Sequence, residues 1–146
     1  MEIVIDASVL VDIWVKSRPR HQIACKLAKY IKEQHIDVFI PMHALLELKC
    51  AIDNERQSPG KGDLSKKIFN KNEPLEINTI SIDQSFIKNY LDLSVPYIKA
   101  GDLPYILIAK KKKSYLLTED KEQYKVASSV GITAFKIKEF LDTKNS

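Results

Sequence analysis

Short apolar runs alternate along this chain with longer segments in which apolar residues recur every three or four positions. The β-branched run Ile3-Val4-Ile5 favours a strand that is buried on both faces. Residues 20–34 place apolar or small side chains at a helical period, with lysines on the opposite face. We therefore predict an α/β protein in which strands and helices alternate.

The same patterns give the bounds of the predicted elements. Strands are predicted at residues 3–5, 37–40, 77–82, 115–118 and 133–137. Helices are predicted at residues 8–16, 20–34, 42–52, 64–69, 84–91, 102–113 and 121–130, followed by a turn at 138–141. Such alternation indicates a mostly parallel five-stranded sheet with helices on both faces. Functional sites of such sheets form at the carboxyl ends of strands, where the winding direction changes.

Length and composition fit one globular domain. The chain has 146 residues and is 45% hydrophobic, so we expect residues 1–141 to form a single domain and residues 142–146 a frayed tail. The polar segment 53–71 is expected to be a mobile loop. No apolar run is long enough to span a membrane and no basic region precedes the first one, so we expect neither a membrane span nor a signal peptide.

The charge and the cysteine content bear on which binding partners and which cellular compartment are expected. The net charge is +4, from 23 Lys and Arg against 19 Asp and Glu, which permits nucleic-acid binding without demonstrating it. Cys25 and Cys50 lack metal-ligand spacing and lie in apolar helical contexts, so we interpret them as buried, reduced thiols of a cytoplasmic protein. His21, His35 and His43 show no ligand spacing, and we assign them no catalytic role.

Two acidic residues follow predicted buried strands. Asp6 ends the first strand, where a lone carboxylate is costly unless it caps the next helix or binds a cation. Asp120 follows the strand at residues 115–118 in the same way, so both acids are expected at one edge of the sheet. Thr118 could hydrogen-bond a carboxylate or a metal-bound water there. Asp120 could equally cap the helix that begins at Lys121.

Glu47 and Asp102 are two further candidates. Glu47 shares its helical face with Ala44 and Ala51, a stripe of small side chains that would let the helix approach another element while the acid points into the gap. It could equally be exposed and paired with a neighbouring lysine. Asp102 precedes the apolar run at residues 106–108, which suggests a buried helix with a buried N-terminus, although a helix N-cap is an ordinary place for Asp.

These four acids can converge on one crevice. Four carboxylates within a few ångströms would repel one another and raise each other's pKa. A hard divalent cation would remove that conflict, and Mg²⁺ or Mn²⁺ fits because all the candidate donors are oxygen atoms. The candidates for this cation site are Asp6, Glu47, Asp102 and Asp120.

The segments around these acids resemble the PIN-domain ribonuclease family, in particular the small VapC-like toxins of type II toxin–antitoxin systems. The matching segments are residues 4–11, 45–48, 101–102 and 117–120, with Ala127 and Gly131 after the last. They occur in the family's order and at its usual separations over nearly the whole chain. Two departures concern the subfamily: Glu119 stands where relatives often have Asn, Arg or Asp, and the polar insert at residues 53–76 is longer than in the smallest toxins.

The resemblance implies a PIN-like three-layer α/β/α fold and hydrolysis of RNA phosphodiester bonds at a site that holds Mg²⁺ or Mn²⁺. It implies that Asp6, Glu47, Asp102 and Asp120 are the family's acidic positions, with Thr118 and Ser8 in support. It also implies a homodimer and an antitoxin protein as a partner. Some basic residues could contact the RNA backbone or equally belong to a solvated face, namely Lys49, Arg56, Lys61, Lys66 and Lys67.

Other families and functions also use an acidic residue after the first strand. A haloacid dehalogenase-type phosphotransferase needs a second Asp two residues after the first, where Ser8 stands here. A receiver domain needs an acidic pair after the first strand, and only Asp6 is present. A housekeeping RNA-processing PIN nuclease and a catalytically silent PIN scaffold that binds RNA or protein remain alternatives. Metal-dependent cleavage that is lost in Asp6→Asn would separate an enzyme from a scaffold.

Overall fold

In the computed structural model of the protein, residues 1–55 and 74–145 are described, apart from the side chain of Glu55. Within these ranges five strands form one parallel sheet, accompanied by seven helices. The strands are β1 (Glu2–Ile5), β2 (Asp37–Pro41), β3 (Asn78–Ile80), β4 (Tyr115–Leu117) and β5 (Ala134–Phe135). The helices are α1 (Ala7–Trp14), α2 (His21–Glu33), α3 (Ala44–Glu55), α4 (Gln84–Tyr90), α5 (Leu103–Lys112), α6 (Lys121–Ser129) and α7 (Ile137–Lys144).

The strand β1 occupies the centre of the sheet, between β2 and β4. Ile3, Val4 and Ile5 are fully buried, and because successive side chains of a strand point to opposite faces, both faces of β1 are covered. Helix α1 packs on α2 and α3, whereas α5 packs on α4 and α6 and contacts the central strands. The predicted three-layer α/β/α arrangement is therefore confirmed, with a sheet that is parallel throughout.

The chain reverses its winding direction beside β1. It moves outward from β1 through β2 to β3, then returns to the other side of β1 with β4 and continues to β5. The backbone N–H of Asp6 donates to the carbonyl of Leu117 at 2.9 Å, which ties the residue after β1 to the end of β4. The carboxyl ends of β1 and β4 thus flank the switch point, where open parallel sheets form their ligand sites.

Three helices begin at an aspartate whose side chain accepts a hydrogen bond from a backbone N–H of the first turn. Such a bond satisfies a donor that has no partner within its own helix. Capping was one of the alternatives that the sequence left open for Asp6 and Asp120. The acceptor and donor pairs are Asp6 with Ser8 at 3.3 Å, Asp83 with Phe86 at 3.0 Å, and Asp120 with Gln123 at 2.9 Å.

A buried ion-pair cluster holds the end of α1. Asp12 is fully buried, and the Nε atoms of Arg18 and Arg20 donate to its two carboxylate oxygens at 3.1 and 2.7 Å. The Nε atom of Arg20 also lies 3.9 Å from a carboxylate oxygen of Glu119, which follows β4. A buried charge is tolerated when it is paired in this way, so the cluster fastens α1 and the start of α2 to the loop after β4.

The last helix differs most from the prediction. We expected a turn at residues 138–141 and a frayed tail from Asp142, but α7 continues to Lys144. Glu139 accepts a hydrogen bond from the backbone N–H of Lys136 at 2.9 Å, which closes the start of the helix. Helix α7 also packs on α2 and β5, so Asp142–Lys144 are not frayed. That residues 1–141 form a single domain stays a prediction.

Two smaller expectations also change. Cys25 and Cys50 are exposed free thiols, so the prediction of buried cysteines is wrong, because each lies on the solvent side of its helix. Residues 53–55 belong to α3, whereas the rest of the predicted mobile loop and the helix at 64–69 lie outside the described residues. Among residues 1–55 and 74–145, no helix combines the length and the apolar character needed to cross a bilayer.

Candidate functional site

Asp6 lies at the switch point and is only 4% exposed. Its Oδ2 accepts hydrogen bonds from the Ser8 hydroxyl at 2.6 Å, the Ser8 backbone N–H at 3.3 Å and the Thr118 hydroxyl at 3.2 Å. Its Oδ1 accepts from Nε2 of Gln123 at 2.9 Å. Burial raises the pKa of Asp6, and the charge of Glu47 adds to this effect, while the bonds from Ser8 and Gln123 oppose it.

Asp102 directly precedes α5, but its side chain does not cap that helix. Its Oδ1 instead accepts a hydrogen bond from Nε2 of Gln123 at 2.9 Å. The same nitrogen donates to Asp6, so one amide joins the two carboxylates. Burial raises the pKa of Asp102, and the nearby charges of Asp120 and Glu47 raise it further. Helix capping therefore does not account for Asp102.

Glu47 lies in the first turn of α3 with its side chain 37% exposed. Its Oε1 accepts a hydrogen bond from the Tyr105 hydroxyl at 3.1 Å and lies 2.9 Å from Nε2 of His43. That nitrogen is also 2.7 Å from the carbonyl oxygen of Gly101, and because a carbonyl only accepts, Nε2 must carry the proton. His43 thereby links the start of α3 to the residue before Asp102.

The pKa of each of the two neighbours of Glu47 is raised. The hydrogen bond to Glu47 raises the pKa of His43, although partial burial opposes this effect. Burial raises the pKa of Tyr105 well above its usual range, and the charges of Asp6 and Glu47 act in the same direction. The Tyr105 hydroxyl is therefore a permanent donor to Glu47.

Asp120 caps α6 and is also connected to the other acids. Its backbone N–H donates to the Thr118 hydroxyl at 3.0 Å, and that hydroxyl donates in turn to Asp6. Thr118 is fully buried and Asp6 nearly so, whereas Asp120 is exposed, so only the bond between Thr118 and Asp6 is shielded from water. Glu119 is directed elsewhere, because its side chain accepts from the backbone N–H of Ile137 at 3.0 Å. Asp120 thus serves as a helix cap and as a charged neighbour of Asp102.

All four candidate acids, with Ser8 and Thr118, therefore lie in one connected region at the carboxyl edge of the sheet. Three members of this region were not assigned a role in it from the sequence, namely Gln123, His43 and Tyr105. Helical spacing offered a signal for each, because Gln123 and Tyr105 follow Asp120 and Asp102 by three positions and His43 precedes Glu47 by four. A search for acidic residues alone does not find these three, because none of them is acidic.

The basic residues proposed to contact RNA are only partly described. Lys49 is 64% exposed on α3 and pairs with Asp53 at 2.6 Å, one helical turn away. It therefore lies near Glu47 in the chain but pairs with a different acid. The other four candidates, Arg56, Lys61, Lys66 and Lys67, lie outside the described residues.

The donor chemistry of this region fits a hard divalent cation, although the present arrangement is not that of a metal site. Carboxylate oxygens are the ligands that Mg²⁺ and Mn²⁺ prefer, and a cation would relieve the repulsion that raises the pKa of Asp102. In the part of the chain that the structure describes, no three acidic, histidine or cysteine side chains are grouped to hold one ion. The amide of Gln123 is bonded between Asp6 and Asp102 instead.

Comparison with known proteins identifies relatives of this fold. Residues 3–129 match the family described as the PIN domain. Similar solved structures include a PilT N-terminus domain protein from Sulfolobus solfataricus, with 16% identity and a TM-score of 0.58 over 98% of this chain and 92% of that one. A domain of a functionally unknown protein from Methanocaldococcus jannaschii has 21% identity and a TM-score of 0.54 over 92% of this chain and 89% of that one.

A third solved structure, FitAcB from Neisseria gonorrhoeae, has 17% identity and a TM-score of 0.60 over 92% of this chain and 97% of that one. At these identities the structural likeness shows the fold alone. No curated protein matches the sequence.

Proposed function

Because this chain belongs to the PIN-domain family, whose members are generally nucleases, we propose that it is a Mg²⁺- or Mn²⁺-dependent endoribonuclease that hydrolyses RNA phosphodiester bonds. The observation that supports this most is the joining of Asp6 and Asp102 by one buried amide. The charge of Glu47 raises the pKa of both carboxyl groups, and the charge of Asp120 raises that of Asp102. Asp6 is buried and Asp102 and Glu47 are partly buried, so holding their charges close together is costly, and a bound cation would offset that cost.

In this proposal Asp6, Asp102 and Asp120 hold the cation, directly or through water. Glu47 either binds a second ion or orients the attacking water. The bound cation supplies a water molecule of lowered pKa and offsets the charge that develops on the phosphate. Phosphoryl transfer asks the protein for positioning and charge stabilisation, so the reaction needs no nucleophilic side chain.

The neighbours of the acids do the positioning. Ser8 and Thr118 fix one oxygen of Asp6, which keeps that carboxylate at the end of β1. Tyr105 and His43 both contact Oε1 of Glu47, whereas Oε2 has no hydrogen-bond partner among the described residues. Glu47 can therefore accept a proton from a water molecule through Oε2 while its other oxygen stays anchored.

The resemblance to VapC-like toxins leads to a finer proposal, in which this nuclease is the toxin of a toxin–antitoxin pair. It would then act in the cytoplasm as a homodimer, held inactive by an antitoxin protein. A housekeeping RNA-processing nuclease is the alternative within the same chemistry. A small adjacent open reading frame that encodes a DNA-binding protein would favour the toxin.

A catalytically silent scaffold that binds RNA or protein is the second candidate function. The observation that favours it is the amide of Gln123, which engages both Asp6 and Asp102 in the present arrangement. A scaffold would keep these bonds in the presence of Mn²⁺, whereas a nuclease must give up at least one of them.

Cleavage of structured and unstructured RNA by wild type and Asp6→Asn tests the proposed function. We expect wild type to cleave with Mn²⁺ or Mg²⁺ and to stop with chelator, and we expect Asp6→Asn to lose at least about a hundredfold in rate because a charged ligand is gone. Cleavage products separated by size on a gel provide the measurement.

Asp37→Asn is the matched control, because it makes the same change at an exposed residue that begins β2, at the opposite end of the sheet. This control should cleave at the wild-type rate. Wild-type cleavage by Asp6→Asn would reject the site, and wild type that cleaves no RNA with either cation would reject the nuclease.

A further inference from the structure

We propose that the side-chain amide of Gln123 holds the acidic region closed in the cation-free protein and must leave Asp6 and Asp102 before a divalent cation binds. Gln123 then sets the affinity of the region for the cation. This inference rests on the proposed function, because it takes the divalent cation as the ligand.

Nε2 of Gln123 stands between Asp6 and Asp102. A carboxylate offers about four lone-pair sites, two on each oxygen. Oδ2 of Asp6 is fully engaged by Ser8 and Thr118, so Oδ1 is the oxygen at which a cation can bind. Nε2 lies 2.9 Å from Oδ1 of Asp6 and 2.9 Å from Oδ1 of Asp102, so a cation bound by both of these oxygens must take its place.

Among these donors, Gln123 is the one whose movement releases the most carboxylate oxygens and disturbs the backbone least. The Ser8 backbone N–H is part of the cap of α1, and the Thr118 hydroxyl also accepts from Asp120, so moving either one disrupts the backbone around it. Nε2 of Gln123 instead donates to the Oδ1 atoms of both Asp6 and Asp102. Movement of this one amide thus releases an oxygen on each of two candidate ligands.

Only one of the two polar atoms of the Gln123 amide has hydrogen-bond partners among the described residues, namely Nε2. The side chain is 1% exposed, and its Oε1 is buried with no hydrogen-bond partner among the described residues. A buried acceptor left without a partner costs free energy, which lowers the barrier to a different side-chain position. The two bonds that Nε2 makes to carboxylates therefore hold the amide in place, and a cation that takes over both carboxylates removes them.

Gln123→Met tests this inference, because Met has nearly the length of Gln and no amide. The readouts are the dissociation constant for Mn²⁺ by isothermal titration calorimetry and the unfolding midpoint in chelator. We expect about tenfold tighter Mn²⁺ binding or more, since displaced hydrogen bonds to charged groups no longer oppose the ion. We also expect a midpoint in chelator that is lower by several degrees, because the buried carboxylate of Asp6 and the partly buried carboxylate of Asp102 each lose a hydrogen-bond donor.

Two further variants complete the experiment. Gln123→Asn keeps an amide that is too short to span both carboxylates, and it should also bind Mn²⁺ more tightly if Gln123→Met does not fold. Gln22→Met is the matched control, because Gln22 is exposed in the first turn of α2, and it should change neither readout.

Equal or weaker Mn²⁺ binding by the folded Gln123 variants, with wild type that binds Mn²⁺ and cleaves RNA, would overturn this inference alone. Wild type that binds no Mn²⁺ would overturn the metal-dependent nuclease and this inference together. The two failures are therefore distinguishable.

Discussion

At the scale of single residues, the hydrogen bonds on each carboxylate decide what that carboxylate can do. Both oxygens of Asp6 are engaged by the protein, whereas the described residues anchor Glu47 through Oε1 alone. The first arrangement suits a residue that must exchange a protein donor for a cation. The second suits a residue that must present a free oxygen to water in a fixed direction.

The anchoring of Glu47 predicts a specific effect of Tyr105→Phe. The ring is fully buried and stays packed in Phe, so we expect a loss of stability of about 1 kcal/mol for the hydrogen bond alone. Without the hydroxyl, Oε1 of Glu47 keeps His43 as its one partner in the described part of the chain, so we expect RNA cleavage to slow by about tenfold. Single-turnover cleavage rates and urea unfolding measure the two effects.

Tyr97→Phe is the matched control for this prediction, because Tyr97 is 91% exposed. It should leave the cleavage rate and the stability unchanged. A Tyr105→Phe protein that cleaves as fast as wild type would show that this hydroxyl does not position Glu47.

The residues that could be predicted in this region are those whose type is unusual in its place. Asp6 stood out as a carboxylate after an apolar strand, and Glu47 as the only acid of an apolar helical run. Gln123 and His43 did not stand out, because a polar residue in the first turn of a helix or just before it is ordinary. Their partners come from distant parts of the chain, such as Gly101 for His43, and no local pattern encodes that contact.

At the scale of elements, residue types at the ends of helices relate most directly to the observed backbone conformation. Gly131 lies two residues after the end of α6 with φ of +81°, a backbone conformation that favours glycine just beyond a helix. Helix α7 was missed because Lys136 occupies its N-cap, and Lys gives no start signal in a sequence. Its start is instead closed by Glu139, whose side chain reaches back to the backbone of Lys136.

The conformation of Gly131 predicts that Gly131→Ala is destabilising. A Cβ at positive φ costs about 1 kcal/mol, so we expect the free energy of unfolding to fall by about that amount. Urea unfolding followed by circular dichroism provides the measurement.

Gly101→Ala is the control for this prediction, because the added Cβ meets nothing within 4 Å and φ is not positive there. It should be neutral or slightly stabilising. If both substitutions cost the same, backbone conformation does not explain the role of Gly131.

At the scale of the whole molecule, the sheet order decides where chemistry can occur. The order β3-β2-β1-β4-β5 brings the ends of β1 and β4 together, although more than a hundred residues separate Asp6 from Thr118 in the chain. The alternation of strands and helices predicted a parallel sheet, and the resemblance to PIN domains supplied the expectation of this particular fold. Because four of the 19 acidic residues lie together at one edge, the remaining surface is more basic than the net charge of +4 suggests.

The central claim is that the acids at this edge hold a divalent cation, and anomalous diffraction from crystals grown with Mn²⁺ tests it most directly. We expect an anomalous peak at the manganese edge within about 2.5 Å of carboxylate oxygens from at least two of the four acids, with the Gln123 amide displaced. The four acids are Asp6, Glu47, Asp102 and Asp120. A protein saturated with Mn²⁺ that shows no peak there, and keeps Gln123 bonded to Asp6 and Asp102, would contradict the account.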